Sequence, residues 1–148
     1  MCDYIDKEKT LDTWTKAYKV VRVYKDKEYT GPFSKTLVIY RKVLKSIFQR
    51  RGVNQSYKGE MRYKKTKFGT ENLVYGFCVF PSLETAKTYM KFCYKGLGFT
   101  RLDLYIRHVE VKGTVFEGSC MIRSTYEYVY LPVWAAEKMK MFGRVKNV

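Results

Sequence analysis

Residues 75–96 read Y-G-F-C-V-F-P-S-L-E-T-A-K-T-Y-M-K-F-C-Y-K-G, and residues 101–118 read R-L-D-L-Y-I-R-H-V-E-V-K-G-T-V-F-E-G. The order of pieces here predicts strand, helix, strand. Gly76 to Phe80 is a short apolar, β-favouring run ended by Pro81. Ser82 stands where an N-cap hydroxyl would accept from first-turn N–H groups, and Glu84 suits the positive helix end. Leu83, Ala86, Met90 and Cys93 recur at spacings of three and four, and Gly96 is a natural stop. The run 102–111 alternates apolar and polar residues, which predicts a long strand.

Outward from this centre, residues 16–24 also alternate. Ala17, Lys19, Val21 and Val23 share one face, and Tyr18, Val20, Arg22 and Tyr24 the other. Lys25-Asp26-Lys27 reads as a hairpin turn. Residues 1–15 read as a polar leader without the apolar core of a secretory signal. In 36–51, Leu37, Tyr40, Leu44, Ile47 and Phe48 fit a basic amphipathic helix, although Leu37-Val38-Ile39-Tyr40 could begin as a strand. The stretch 52–70 is a glycine-punctuated basic insertion, either loop or loose hairpin. At the far end, 126–131 reads as a strand, Pro132 as the first residue of a short helix, and 139–145 as a last strand. The expected architecture is a single domain over 1–148, of α+β class. It has about six mostly antiparallel strands, a central helix, a basic helix and a short C-terminal helix.

Composition bounds the function. Hydrophobic residues make up 46% of the 148, enough for a packed core. No apolar run approaches the roughly 20 residues a membrane helix needs. Four cysteines with no C-x-x-C pair and a single histidine argue for free thiols in a reducing cytosol, without a metal site. His108, the one imidazole, reads as a structural or surface residue. No P-loop, dinucleotide fingerprint or nucleophile elbow occurs.

Charge is the strongest signal. Lys and Arg number 29 against 14 Asp and Glu, a net +15 that favours phosphate backbones, nucleoprotein or acidic protein surfaces. Residues 41–67 hold ten of the cations: Arg41, Lys42, Lys45, Arg50, Arg51, Lys58, Arg62, Lys64, Lys65 and Lys67, with Glu60 the one acid. Tyr63 is interleaved, with Tyr57 and Phe68, and such rings can stack bases while the cations neutralise phosphates. The alternative for this span is a solvated lysine-rich face.

Three segments carry a family resemblance: G-F-C-V-F-P-S-L-E-T-A-K-T-Y at 76–89, L-Y-I-R-H-V-E-V-K-G-T-V-F-E at 104–117, and T-Y-E-Y-V-Y-L-P-V-W at 125–134. In this order they resemble the ADP-ribosyltransferase superfamily. The chain is also similar to small phage and bacterial proteins that open with Y-K-V-V-R, here 18–22. The transferase resemblance implies NAD as cofactor, Glu127 as the catalytic glutamate, Arg22 as the first-strand cofactor ligand and Tyr89 as a ring beside nicotinamide. Arg22 is followed by Val23 and Tyr24 where that family has glycine second, and Thr125 stands two before Glu127 where it has Glu or Gln. The phage resemblance implies instead a non-catalytic factor that occupies nucleic acid or nucleoprotein in the host cytosol, with host defence as its target.

Overall fold

The computed structural model describes residues 4–31, 36–45, 49–51, 65–66, 69–70, 73–95, 103–123 and 128–146. In chain order these form β1 (Tyr4–Tyr24), β2 (Lys27–Tyr29), β3 (Leu44–Lys45), β4 (Gln49–Arg51) and β5 (Lys65–Thr66), then β6 (Gly69–Thr70), β7 (Leu73–Tyr75) and β8 (Phe77–Val79). After these come α1 (Leu83–Lys95), β9 (Asp103–Arg123) and β10 (Tyr128–Arg144). Among the described residues there is one helix, so the protein is nearly all-β and the expected α+β arrangement with three helices is overturned.

The reason is competition between local propensity and open sheet edges. In the span of the expected basic helix, the described residues 36–45 and 49–51 are not helical. Leu37 bridges Tyr29, Tyr40 bridges Met141, and β3 pairs with β10 through Lys138↔Lys45 and Met139↔Leu44. Its β-branched Val38, Ile39 and Val43 suit that conformation, and Arg41 takes a φ of 60°, which no helix continues through. The expected short C-terminal helix lies inside β10, where Leu131, Val133 and Ala135 alternate into a core. Among the described residues β8 pairs with Trp134 to Ala136 and no strand pairs with that edge at Pro132, so the proline costs no ladder bond there. The polar leader is also strand. Tyr4 to Leu11 run antiparallel to Ser119 to Gly113, and a bulge of β1 between Leu11 and Thr15 then re-aims the chain.

Three long strands, β1, β9 and β10, lie side by side, and β8 completes a ring. It pairs with β10, and the next residue, Phe80, exchanges backbone hydrogen bonds of 2.7 and 2.9 Å with Tyr18 of β1. Inside this small closed barrel are Ala17, Val21, Val79, Val109, Val111, Val115, Ala136, Met139 and Met141, all buried. Val38, Leu44 and Trp134 pack against this cluster. The opposite faces of the same strands form a second core under α1, from Val20, Phe80, Ile106, Phe116, Val133 and Ala135 to Ala86 of the helix. α1 begins as its sequence prescribes: the Thr85 N–H donates to Ser82 Oγ at 3.2 Å, and Leu83 and Met90 pack on that core. The hairpin from β1 to β2 turns through Lys25 and Asp26, both at positive φ (49° and 62°), the turn whose twist matches its strands. Lys65–Thr66 and Gly69–Thr70 pair as a small hairpin within the basic insertion, most of which lies outside the described residues.

Charges enter the inward face at one end of the barrel. Arg107 donates from Nε and a terminal nitrogen to both oxygens of Glu28, at 2.5 and 2.7 Å, and also to the Phe142 carbonyl. That fork holds the Glu28 carboxyl below its ordinary value of 4.5, against the smaller opposing effect of burial. Lys19 shares the face of Ala17 and Val21 and donates to the Cys78 carbonyl at 2.7 Å. Burial lowers its pKa from the ordinary 10.5.

Candidate nucleic-acid interface

Where α1 no longer covers them, β1, β9 and β10 present rows of side chains in register. Tyr18 stands opposite His108. Lys16 stands opposite Glu110, which stands opposite Lys140. Lys112 stands opposite Lys138, which stands opposite Lys45 of β3. Successive residues alternate faces, so these rows lie opposite the barrel interior that takes Val109, Val111, Met139 and Met141. Among the described residues, five lysines thus share these rows with one carboxylate, Glu110. Like charges directly opposite on neighbouring strands cost stability. A row of three lysines is therefore not there to hold the sheet together.

Aromatic rings are set among these cations. The bulge between Leu11 and Thr15 delivers Trp14 over the sheet, with Lys140 Nζ 4.2 Å and Lys112 Nζ 5.9 Å from its ring centroid. Each such interaction is worth about 0.5–1 kcal/mol at an exposed site, and it gathers the ammonium groups around one ring. The bulge faces Gly113, whose φ of +85° suits glycine, and a Cβ there would meet Glu137 Oε2 at 2.6 Å. That same oxygen accepts from the Thr114 N–H at 3.0 Å and fixes the bend. Tyr18 and His108 have ring centroids 5.7 Å apart, and Phe142 meets Tyr40 edge-on at 6.5 Å. Beside Tyr18, His108 and Phe142 opens a cavity of about 250 Å³, lined also by Lys16, Ala17, Val109 and Glu110.

The cations expected from sequence divide. Arg41, Lys42 and Lys45 are exposed beside this surface. The Arg41 N–H donates to the Met141 carbonyl, and Lys45 completes the lysine row. Arg50 and Arg51 lie in β4 opposite Val74 and Leu73, and Lys65 lies in β5 opposite Thr70. Lys58, Arg62, Tyr63, Lys64 and Lys67 lie outside the described residues, as does Glu127. Tyr89 packs its ring on Phe80, centroids 5.0 Å apart, within the core under α1. The Arg22 guanidinium lies 5.1 Å from the Tyr29 ring and 5.8 Å from the Tyr24 ring, and its buried Nε has no hydrogen-bond partner.

Sequence reasoning passed over Lys16, Lys112, Lys138, Lys140 and Trp14. Their signal was a period of two: Glu110 and Lys112 interleave with Val109 and Val111, and Lys138 and Lys140 flank Met139. Among the described residues no group of three His, Cys, Asp or Glu could hold a metal, and no helix is long and apolar enough to cross a membrane. No family model, curated protein or solved structure matches the chain.

Proposed function

We propose that this protein is a small, basic, non-catalytic binding protein that holds nucleic acid in single-stranded form across the outer face of β1, β9 and β10. The observation that carries this reading is the lysine row Lys112–Lys138–Lys45, flanked by Lys16 and Lys140 and interleaved with Trp14, Tyr18, His108 and Phe142. Ammonium groups neutralise phosphates, and ring faces of varied orientation stack unpaired bases of any identity. A duplex hides its bases, so it would use the lysines and leave the rings idle. An acidic protein would likewise respond to the charge and not to the rings.

Binding of a fluorescent oligo(dT) at several salt concentrations tests this reading. Wild type should lose affinity linearly in log salt, and Trp14→Ala should weaken binding with little change of slope. Equal affinity for oligo(dT) and a duplex of the same length, unaffected by Trp14→Ala, would defeat the single-strand reading. Transfer of ADP-ribose from NAD has less support, because Tyr89 has its ring engaged in the core under α1.

A further inference from the structure

The cavity on this surface is chemically uneven, and that unevenness points beyond general binding. At about 250 Å³ it is smaller than the roughly 300–1,000 Å³ of sites for drug-sized ligands, which fits one planar ring system. Three aromatic residues, Tyr18, His108 and Phe142, line it beside Lys16 and Glu110. At one edge Lys16 and Glu110 stand directly opposite each other in the β1–β9 register, a cation beside a carboxylate. Among the described residues of these rows Glu110 is the one acid beside five lysines, on a face otherwise suited to phosphates, where a carboxylate weakens general affinity.

We infer that this cavity takes one unpaired nucleobase of the bound strand and that Glu110 makes it prefer guanine, an inference that rests on the single-strand reading above. A carboxylate only accepts hydrogen bonds, and its two oxygens accept side by side. Guanine carries two adjacent donors, N1–H and the N2 amino group, with the O6 acceptor next to them. Glu110 matches the donors, and the Lys16 ammonium matches O6. Cytosine and adenine each offer one amino group with ring acceptors beside it, and thymine or uracil places its single N–H between two carbonyls. Those carbonyls would face the carboxylate unfavourably. The same edge is present in DNA and RNA, so the chemistry names the base and not the sugar.

The test uses the whole protein and nine-residue oligonucleotides: dT9, the same strand with one central dG, dA, dC or deoxyinosine, and the ribo versions of each. The dG strand should bind about tenfold tighter than dT9, as for a two-bond base contact. Deoxyinosine, which lacks the N2 amino group, should lose most of that gain. Glu110→Gln should erase the dG preference and bind dT9 more tightly than wild type, since a repelling charge is gone. The deoxy and ribo series show which sugar is preferred, and the inference requires the guanine preference in the tighter-binding series. Wild type that binds dT9 yet treats all five strands alike overturns the guanine reading and leaves single-strand binding standing. Retention of the dG preference in Glu110→Gln overturns the role of Glu110. Failure of wild type to bind any strand at low salt overturns the single-strand reading itself.

Discussion

The two faces of β9 and β10 carry opposite chemistry within single steps of the chain. Val109, Val111, Met139 and Met141 point into the barrel and are buried, while Glu110, Lys112, Lys138 and Lys140 point away from it. The inward face is apolar, with charge admitted only where it finds a partner, as in the Arg107–Glu28 fork and the Lys19–Cys78 hydrogen bond. The outward face sets lysine opposite lysine. Over this stretch burial is supplied by the inward face, and the outward face, beyond the core under α1, is free to be shaped by a ligand. The two should respond differently to the same kinds of substitution.

The largest effect should come from charge placed inward. Met139→Asp buries a carboxylate with no partner inside the barrel and should cost about 4 kcal/mol or more, enough to prevent cooperative folding by circular dichroism. Lys138→Asp, one residue away on the other face, should keep a thermal transition near that of wild type. Equal damage from both would break the assignment of faces.

Removing an inward partner comes next. Glu28→Gln should cost about 1.5–3 kcal/mol at neutral pH, because the charge-assisted fork to Arg107 is broken. The Glu28 carboxyl is held below 4.5, so its contribution is present above that value and disappears as pH falls through the folded value. Urea titrations of both proteins should therefore converge in acid. A difference that stays constant down to about pH 2 would contradict this origin.

Gly113→Ala should cost about 1–3 kcal/mol, since φ is +85° and the new Cβ would displace Glu137. It sharpens the comparison because the bulge carries Trp14. Weaker oligonucleotide binding at a temperature where the variant is still folded would be the expected sign.

The smallest expected change uses one substitution on both faces. Lys19→Met should shift stability at pH 7 by about 1 kcal/mol or less, since removing a buried ammonium offsets the missing hydrogen bond. The folded lysine releases its proton before the unfolded one, whose value is 10.5, so wild-type stability should rise relative to the variant as pH climbs toward 10.5. Lys140→Met should weaken oligonucleotide binding instead.

Much of the inward architecture was legible. The strand–helix–strand centre follows from Pro81, the Ser82 cap and the three-four spacing of Leu83, Ala86 and Met90, because these signals are local. The alternation of 16–24 and 102–111 is equally local. What failed depended on partners distant in sequence. Leu37, Tyr40 and Leu44 have helical spacing, but edges of β2 and β10 were open to them. Pro132 signals a helix start unless the strand edge beside it is free. Reading 132–136 as helix interrupted the period-two phase of β10, which hid Lys138 and Lys140. Residues 1–15 looked like a leader because, among the described residues, the ladder of 4–15 comes from the sequence-distant β9. Arg22, which the transferase resemblance made a cofactor ligand, lies against Tyr24 and Tyr29.

The central claim is that the outward lysines exist for an anionic strand. It is tested most directly by the salt dependence of oligo(dT) binding for wild type and for the Lys112→Ala, Lys138→Ala, Lys140→Ala triple variant. The variant should fold with a midpoint near that of wild type, because relief of the Lys112–Lys138–Lys45 opposition offsets the lost contacts of Lys112 and Lys140 with Trp14. Its slope of log affinity against log salt should be shallower by about 0.7 for each phosphate no longer neutralised, roughly two units in all. An unchanged affinity and slope in a folded triple variant would contradict the account.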